Sequence, residues 1–317
     1  MALTIGQIAA VSYPAVLAAS RKAANQWAES ALLRELERQG AIEHKSLGAT
    51  IEAPLDYQRN PGTVIQATEL QALSLTKTEV ITSASYAIAE VTAPVTWSKK
   101  DEVSNPTMTQ KIALVKSLLT NGIESHDDIL ETSLFLTTTN GFLGLKTIVP
   151  FVPSVGSLGG IDPASNTFWR NQTATYVDDT DIESAFTTVW NQCAKGSGAK
   201  LMPTLMVSDA PTQALFEGTQ QANQRYVDTD ELKAGFKILA FKTSRYVFSQ
   251  YAGNAGAVYF LNPKNFQLVV SKEYFRDRGD TQEIPNANGF NFKIYSALQT
   301  VTNNRSRLGI AGTAATT

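Results

Sequence analysis

The sequence predicts an α+β fold, in which strand-rich and helical segments occupy separate stretches of the chain. Alternation of apolar and polar residues, as at Ile51, Ala53 and Leu55, predicts strands between residues 48 and 98. A helical pattern of about 30 residues follows, which is far longer than an ordinary helix. Strand patterns then dominate from residue 236 onward. Together these observations predict a mixed fold with one unusually long helix.

Length and composition describe an ordinary globular protein with room for two subdomains. The chain has 317 residues, of which 43% are hydrophobic and 18% are charged, and a chain of this size can bury a substantial core. Its formal net charge of -2 and pI near 5.8 argue against tight binding of polyanions, because neutralising phosphates needs clustered Lys and Arg. A protein that only encloses nucleic acid can still be this close to neutral.

Neither a membrane span nor a secretion signal is expected. No uninterrupted apolar stretch approaches the roughly 18 residues that suggest a transmembrane helix. No Lys or Arg precedes Arg21, and Tyr13-Pro14 interrupts the apolar run near the N-terminus. The single cysteine, Cys193, excludes an internal disulfide.

Residues 16–39 have the pattern of an amphipathic helix that ends before Gly40. Apolar and small residues recur at steps of three and four, and the charged residues lie elsewhere. The apolar stripe consists of Val16, Leu17, Ser20, Ala24, Trp27, Ala28, Ala31, Leu32 and Leu36. Two interpretations remain open: the helix packs on its own domain, or it forms an arm that lies on a neighbouring subunit.

The segment between residues 48 and 98 is interpreted as a long hairpin. Arg59-Asn60-Pro61-Gly62 marks a turn, and a run from Val91 to Trp97 brings the chain back. Residues 74–85 are rich in Thr and Ser and poor in large hydrophobic residues, so they cannot fill a two-sided core. Because proteins avoid exposed strand edges unless something pairs with them, we expect a partner surface here.

A long helix with a polar face is predicted from Thr107 to Leu136. Its apolar residues follow helical spacing, and Lys, Asp and Glu residues lie between them. At 1.5 Å per residue such a helix is roughly 45 Å long, which suits a structural spine. Asn121-Gly122 in its middle is a candidate position for a kink.

Two further helices and a short strand are predicted before the chain becomes strand-rich. Asp181 can cap a helix that ends at Gly196-Ser197-Gly198, and a second helix starts from Asp209. Between them lies a strand from Leu201 to Val207. The later strands are predicted at Phe236 to Phe241, Tyr246 to Tyr251, Val258 to Leu261, Phe266 to Val270 and Phe290 to Leu298, the last with Lys293 and Gln299 on its polar face.

The sequence indicates no catalytic, cofactor-binding or metal-binding residues. Cys193 shares the apolar stripe of its helix with Trp190, so we interpret it as a core residue rather than as a nucleophile. His44 and His126 lie in contexts typical of exposed residues, and neither has a partner spaced for metal or triad chemistry. The segment at residues 196–200 lacks the ending of a phosphate loop and is interpreted as a helix stop.

A glycine-rich segment is the most distinctive local motif. Gly159-Gly160-Ile161-Asp162 leads to Phe168-Trp169-Arg170-Asn171, just after the long helix. From the residues alone, the segment is either a loop pinned by an aromatic anchor or part of an interface, because Trp and Arg are enriched in both settings.

The order of these segments resembles the major capsid proteins of tailed bacteriophages. A hairpin arm, a long helix, a Thr-rich exit at residues 137–139 and the Gly-Gly-Ile-Asp to Phe-Trp-Arg-Asn loop follow one another. The resemblance implies the Hong Kong 97-type capsid fold. Its parts would be an N-terminal arm (1–47), an extended hairpin loop (48–98), a peripheral domain with the long spine helix (99–179 and 273–306) and an axial domain (180–272 and 307–317).

By the same resemblance, the expected function is structural, without enzymatic activity, cofactor or membrane association. The chain would form hexamers and pentamers that close an icosahedral shell around double-stranded DNA, without sequence-specific binding. It would be part of the virion capsid, assembled in the host cytoplasm. The expected partners are other copies of the chain, a portal, and a separate scaffold or decoration protein. The candidate residues for subunit interfaces are Tyr57, Arg59, Trp169 and Arg170.

Two alternatives remain. An encapsulin-like nanocompartment would have the same fold and a protein cargo instead of a genome. A cytosolic hydrolase that uses Cys193 is the more distant alternative, because the sequence positions no base for the thiol.

Overall fold

The computed structural model describes residues 5–22, 30–60, 62–66, 79–194, 202–221, 239–253 and 256–313. The α-helices in these residues are α1 (Ile5–Lys22), α2 (Ala31–Arg38), α3 (Lys99–Ser104), α4 (Met108–Phe135), α5 (Leu145–Ile148), α6 (Asp179–Cys193) and α7 (Ala210–Gln221). The strands before residue 240 are β1 (Ile42–Lys45), β2 (Thr50–Asp56), β3 (Ile81–Ala87), β4 (Ala89–Ser98), β5 (Gln172–Thr175), β6 (Leu205–Ser208) and β7 (Leu239–Phe241). The later strands are β8 (Ser244–Phe248), β9 (Val258–Leu261), β10 (Phe266–Ser271), β11 (Asp277–Arg278), β12 (Gln282–Glu283), β13 (Gly289–Thr302) and β14 (Gly309–Gly312).

The strands form two six-stranded sheets and a separate two-stranded hairpin. In the first sheet, β13 lies at the centre and pairs with β4, β10, β11 and β12, while β1 adds to the far edge of β10. The second sheet has the order β5-β14-β9-β6-β8-β7, and among the described strands β2 pairs only with β3. The predicted α+β class is therefore confirmed. Within the described residues, no helix is long and apolar enough to cross a membrane.

The central strands of the second sheet are buried on both faces, as their short apolar sequences require. On β6, Met206 contacts the core beneath α6 and α7, whereas Leu205 and Val207 contact the main core of the molecule. All four residues of β6 and all four of β9 are buried. Such unbroken apolar strands are typical of sheets that are covered on both sides.

The single helix predicted over residues 16–39 is wrong, because the helical segments in this region are α1 and α2. Ser30, directly before α2, has an extended backbone (φ -97°, ψ 96°), which interrupts any helix at that point. The first of the two segments, α1, begins at Ile5 and includes Pro14. Residues 23–29, on which part of the predicted stripe falls, lie outside the described residues.

Both N-terminal helices pack on their own chain. Ile5, Ile8 and Tyr13 of α1 share a core with α4 and the first sheet. Leu32 and Leu36 of α2 belong to the main core that joins the two sheets. For the described residues, the structure therefore favours the first of the two interpretations, in which this region covers its own subunit.

The predicted spine helix is confirmed as α4, with nearly the predicted ends. Thr107 and Gln110 form a capping box at its start, in which each side chain accepts from the other residue's backbone N–H. The helix continues through the expected kink at Asn121-Gly122. Gly122 has a packing role instead: a Cβ atom there would lie 2.7 Å from Cγ2 of Val95 and 3.2 Å from Cδ1 of Ile294. The helix can lie this close to the first sheet only without a side chain at that position.

This close approach predicts opposite effects for the same substitution in two helices. Gly122→Ala should lower the free energy of unfolding by about 1–2 kcal/mol, because overpacking outweighs the gain of about 1 kcal/mol in helix propensity. In α7, a Cβ atom at Gly218 would meet nothing within 4 Å. Gly218→Ala should therefore raise the free energy of unfolding by about 0.5–1 kcal/mol. Chemical denaturation of the purified protein measures both effects. A stabilising Gly122→Ala would show that α4 can move away from the sheet at little cost.

A buried carboxylate on α4 holds the start of α2. Glu131 is fully buried, and it accepts the backbone N–H groups of Leu32 (2.9 Å) and Leu33 (3.1 Å) and the hydroxyl of Ser249 (3.1 Å). A negative charge at a helix N-terminus is favourable because the free N–H groups and the helix dipole both stabilise it. Glu131 thus connects α4, α2 and the turn after β8, and this long-range cap explains why α2 starts where it does.

The titration of Glu131 should make stability depend on pH in a defined direction. Burial raises the pKa of this carboxyl above its ordinary value of 4.5, and its three hydrogen bonds offset only part of the rise. The folded state therefore binds the proton more tightly than the unfolded chain does, so the contribution to stability is full below pH 4.5 and is lost as pH rises through the folded pKa. Relative to Glu131→Gln, we expect the wild-type free energy of unfolding to fall as pH increases. A difference that is constant or grows with pH, measured by urea denaturation, would contradict this assignment.

Candidate functional site at the hairpin root

The hairpin root, defined as β2 and β3, presents one face to the body of the subunit. The two strands pair in antiparallel register from Thr50↔Ala87 to Asp56↔Ile81. Every second residue points inward, and these residues belong to the main core. They are Ile51, Ala53, Leu55, Ala84 and Tyr86. The predicted alternation is therefore correct, but the covered face lies on the chain's own core. Among the described residues, the side chains that remain exposed on these two strands are those on the opposite face, such as Glu52, Ser83 and Ser85.

The glycine loop, defined as residues 156–170, docks on the hairpin root through a tight turn. Leu158 and Ile161 exchange two backbone hydrogen bonds of 3.1 Å, and Gly159 and Gly160 between them have φ values of 62° and 79°. Positive φ at both central positions is the geometry of a type I′ turn, which favours glycine. The carbonyl of Gly159 accepts the backbone N–H of Ser85 in β3 at 3.0 Å.

Gly159 also allows the loop to touch the strand. A Cβ atom at this position would lie 2.6 Å from Cβ of Ala84, whereas one at Gly160 would meet nothing within 4 Å. The glycine pair that stands out in the sequence is thus explained by two requirements. Both residues supply the turn geometry, and only the first supplies the close approach.

The two glycine-loop residues predicted at an interface have different environments. Trp169 is 1% exposed, and its Nε1 donates to the carbonyl of Leu158 at 3.0 Å. Arg170 is half-buried, and its guanidinium donates to the carbonyls of Pro163 (2.7 Å) and Ala164 (2.8 Å). Both side chains therefore support the shape of the loop from within, and of the two only Arg170 keeps accessible surface.

The two candidates at the outer end of the hairpin lie closer to solvent. The ring of Tyr57 packs on Phe168 of the glycine loop with centroids 4.9 Å apart, and its hydroxyl donates to the carbonyl of Glu79. Arg59 is exposed. The structure thus brings Tyr57 together with the glycine loop and places Arg59 farther out on the hairpin. Residues 67–78 lie outside the described residues.

Gln299 anchors the hairpin root and was not identified from the sequence. Its Nε2 donates to the carbonyls of Ala87 (2.6 Å) and Gly141 (2.8 Å), and its Oε1 accepts the backbone N–H of Leu143 (3.0 Å). The alternation in β13 predicted a solvent-facing residue, but Gln299 is 1% exposed because the exit of α4 covers it. No signal in the sequence distinguishes it from an ordinary polar-face residue.

A second anchor pairs a buried tyrosine with a buried arginine. The hydroxyl of Tyr86 donates to the carbonyl of Thr302 at 2.7 Å, and burial raises the pKa of this phenol. Arg305 lies nearby and donates from Nε to the carbonyl of Ile148 at 2.7 Å. Burial lowers the pKa of its guanidinium to about 10. The two groups fix β3 and the end of β13 to the segment after α4.

Exposed apolar residues surround the hairpin root. Val64, Ile65 and Ile81 on the hairpin are 48%, 98% and 67% exposed, and Val155, directly before the glycine loop, is 61% exposed. Single exposed apolar residues are ordinary, but several of them in neighbouring segments are typical of an interaction surface.

Cys193 and His126, which were considered for catalysis or metal binding, are both buried in the core of the protein. Cys193 is fully buried, and a Cβ atom at Gly309 would lie 2.8 Å from its Sγ. The expectation that His126 is exposed is wrong: it is fully buried, with Nδ1 3.2 Å from the carboxylate of Asp127, which also contacts Arg276. Across the described ranges, no group of three or more His, Cys, Asp or Glu side chains could hold a metal ion.

Comparison with solved structures identifies the architecture. The sequence matches no family model and no curated protein. In three dimensions, the cyanophage A-1(L) capsid subunit aligns with a TM-score of 0.62 at 15% identity, over 86% of this chain and 90% of that one. The capsid of an empty GTA particle aligns with a TM-score of 0.56 at 12% identity, over 90% and 97% of the two chains.

The fold is that of the phage capsid proteins. This confirms, at the level of fold, the resemblance found in the sequence. The same capsid fold also occurs in the SrpI encapsulin of Synechococcus elongatus PCC 7942, which aligns with a TM-score of 0.53 at 10% identity over 87% of this chain and 86% of that one. These neighbours are shell proteins rather than enzymes.

The two glycines of the tight turn offer a matched test of how the loop docks. Gly160→Ala should cost about 1–2 kcal/mol, the penalty for a side chain in the left-handed region. Gly159→Ala should cost that amount plus about 1–3 kcal/mol, because its methyl group overlaps Ala84. Thermal unfolding of both variants measures the difference. Equal destabilisation by the two substitutions would mean that the loop does not press on the hairpin root.

Proposed function

We propose that the chain is a structural protein that self-assembles into a closed shell, and that it is a phage major capsid protein. Its hexamers and pentamers would form an icosahedral shell around double-stranded DNA. The observation that carries this proposal is the agreement of fold over 86–90% of the chain with capsid subunits of phages and GTA particles. The net charge of -2 suits a container that encloses DNA without binding it tightly.

The proposal defines the partners and the location. The main partner is another copy of the chain, since capsid shells consist of repeated subunits. A portal and a separate scaffold or decoration protein complete the expected set. The protein would assemble in the host cytoplasm and remain in the virion capsid.

The hairpin root and glycine loop are the surface that we assign to subunit contacts. Tyr57, Arg59 and Arg170 would contact a neighbour, because each keeps accessible surface at the outer side of this site. Trp169 would act indirectly, by holding the loop in the shape that presents Arg170. Arg and Tyr are residue types in which interfaces concentrate their binding energy.

The four-part division predicted from the sequence stays a proposal, with boundaries adjusted to the sheets. Residues 89–98 and 266–270 pair with β13, so we assign them to the peripheral domain. Residues 172–175 pair with β14 in the second sheet, so the axial domain would begin near Gln172. The N-terminal arm contributes β1 to the first sheet and α2 to the main core.

An encapsulin-like nanocompartment is the second candidate function. The observation in its favour is the alignment with the SrpI encapsulin, whose TM-score of 0.53 is similar to that of several phage capsids. The content of native particles distinguishes the two. Nuclease-protected double-stranded DNA supports the capsid, and a stoichiometric protein cargo supports the nanocompartment.

A shortened hairpin tests the shell proposal. Because Asp56 and Ile81 are paired across the hairpin, residues 57–80 can be replaced by an Asn-Gly turn that keeps β2 and β3 joined. We expect this variant to retain a cooperative melt, since nearly all buried core residues lie outside the deleted segment. We also expect it to lose closed shells, because it lacks Tyr57, Arg59, Val64 and Ile65.

Negative-stain microscopy and light scattering of the wild type and the variant provide the measurement. Closed particles from the wild type and dispersed subunits from the variant are the expected result. A wild-type protein that stays a 34.3 kDa monomer at all salt concentrations, with and without a scaffold protein, would count against the shell. Normal particles from the variant would count only against the role of the hairpin.

A further inference from the structure

A pocket of about 370 Å³ lies between α1 and the first sheet, away from the hairpin root. Gly6 and Ala10 of α1 line one side, and Trp97 and Phe290 line the other. The small residues on α1 leave this space open, because neither fills the gap above the aromatic rings. The volume falls within the range of pockets that bind small molecules.

The sheet side of the pocket is aromatic. The rings of Trp97 and Phe290 are stacked, with centroids 5.9 Å apart and an angle of 29° between their planes. Flat aromatic surfaces of this kind favour the rings or alkyl groups of a ligand, because both bury apolar area. This part of the pocket therefore suits an apolar body.

The other end of the pocket carries a positive charge, the partly buried guanidinium of Arg278. Arg278 lies over the ring of Phe292, 4.5 Å from its centroid, and donates from Nη2 to the hydroxyl of Thr281 at 2.7 Å. Burial lowers the pKa of this guanidinium, and Asp280 and Tyr13 offset only part of the effect. A cation in this situation is stabilised by an additional anion.

Two buried donors at the pocket residues have no acceptor among the described residues. They are Nε of Arg278 and Nε1 of Trp97. Because buried N–H groups in proteins are nearly always paired, such donors indicate a place where an acceptor oxygen is favourable. Both belong to residues that line the same pocket.

We propose that this pocket binds a small amphipathic anion. Its aromatic or alkyl body packs on Trp97 and Phe290, and its carboxylate or sulfonate oxygens accept from Arg278. The bound molecule would also contact α1, so it would tie this helix to the first sheet. The inference is independent of shell formation, since all lining residues belong to one subunit.

A pair of related fluorescent probes tests this proposal on the purified full-length protein. Anilinonaphthalene sulfonate carries both an aromatic body and an anion, and phenylnaphthylamine has the same rings without the sulfonate. We expect saturable binding of one sulfonate probe per subunit. Arg278→Gln should weaken it by about tenfold or more, because a charge-assisted hydrogen bond is lost. The same substitution should leave the affinity for the neutral probe nearly unchanged.

Two further variants show where the probe binds. Ala10→Leu fills the pocket and should abolish binding of both probes. Lys99→Gln is the matched control: it removes a cation whose Nζ lies 5.6 Å from the Phe290 centroid but does not line the pocket, and it should change neither affinity. Circular dichroism verifies that each variant is folded. If Arg278→Gln is not folded, Arg278→Lys replaces it. Arg278→Lys should also lower the affinity for the sulfonate probe, because a lysine lacks the planar fork of the guanidinium.

The proposal is overturned by any of three results. One is the absence of saturable sulfonate binding to the wild type. Another is equal sulfonate affinity in the wild type and the folded Arg278 variant. The third is undiminished binding to Ala10→Leu, which would place the probe elsewhere on the surface.

Discussion

The long strand β13 is the constraint on which the rest of the structure depends. It pairs with β4 over ten residues, from Gly289↔Ser98 to Leu298↔Ala89, and with β10 over five more on its other side. Its last residues bind the hairpin root, through the side chain of Gln299 and the carbonyl of Thr302. Shifting β13 by one residue would turn every side chain to the opposite face. Its register therefore determines the pairing in the first sheet, the sheet surface on which α4 packs and the position of the hairpin root.

Buried polar groups, rather than additional apolar contacts, set how the parts are oriented. Glu131 joins α4 to the start of α2 and to Ser249 beside the second sheet. Gln299 joins the hairpin to the exit of α4, and Arg305 joins the end of β13 to α5. A buried polar group tolerates few alternative arrangements, because an unpaired one is costly. Such groups therefore fix the relative orientation of the helices, the sheets and the hairpin root within the chain.

Agreement between sequence and structure is closest where the signal is local. The ends of α4 follow from the capping box at Thr107 and from the helical spacing of its apolar residues. Inward residues of β2 follow from period-two alternation. The turn at Gly159-Gly160 was visible as a motif, although its docking on Ala84 was not. The errors concern tertiary structure: Ser30 breaks the helix where Glu131 caps α2, and His126, expected to be exposed, is fully buried.

By itself, the sequence determined the fold class, the spine helix, most strands and the resemblance to capsid proteins, because spacing, caps and turn residues act within a few positions of the chain. Only the tertiary structure decided which polar residues are buried. Gln299 and Lys293 both alternate with apolar residues in β13, yet one is enclosed and the other exposed. It also decided that the side chain of Trp169 is buried while that of Arg170 remains partly accessible to solvent. Burial depends on what another part of the chain places over a residue, and no local pattern contains that information.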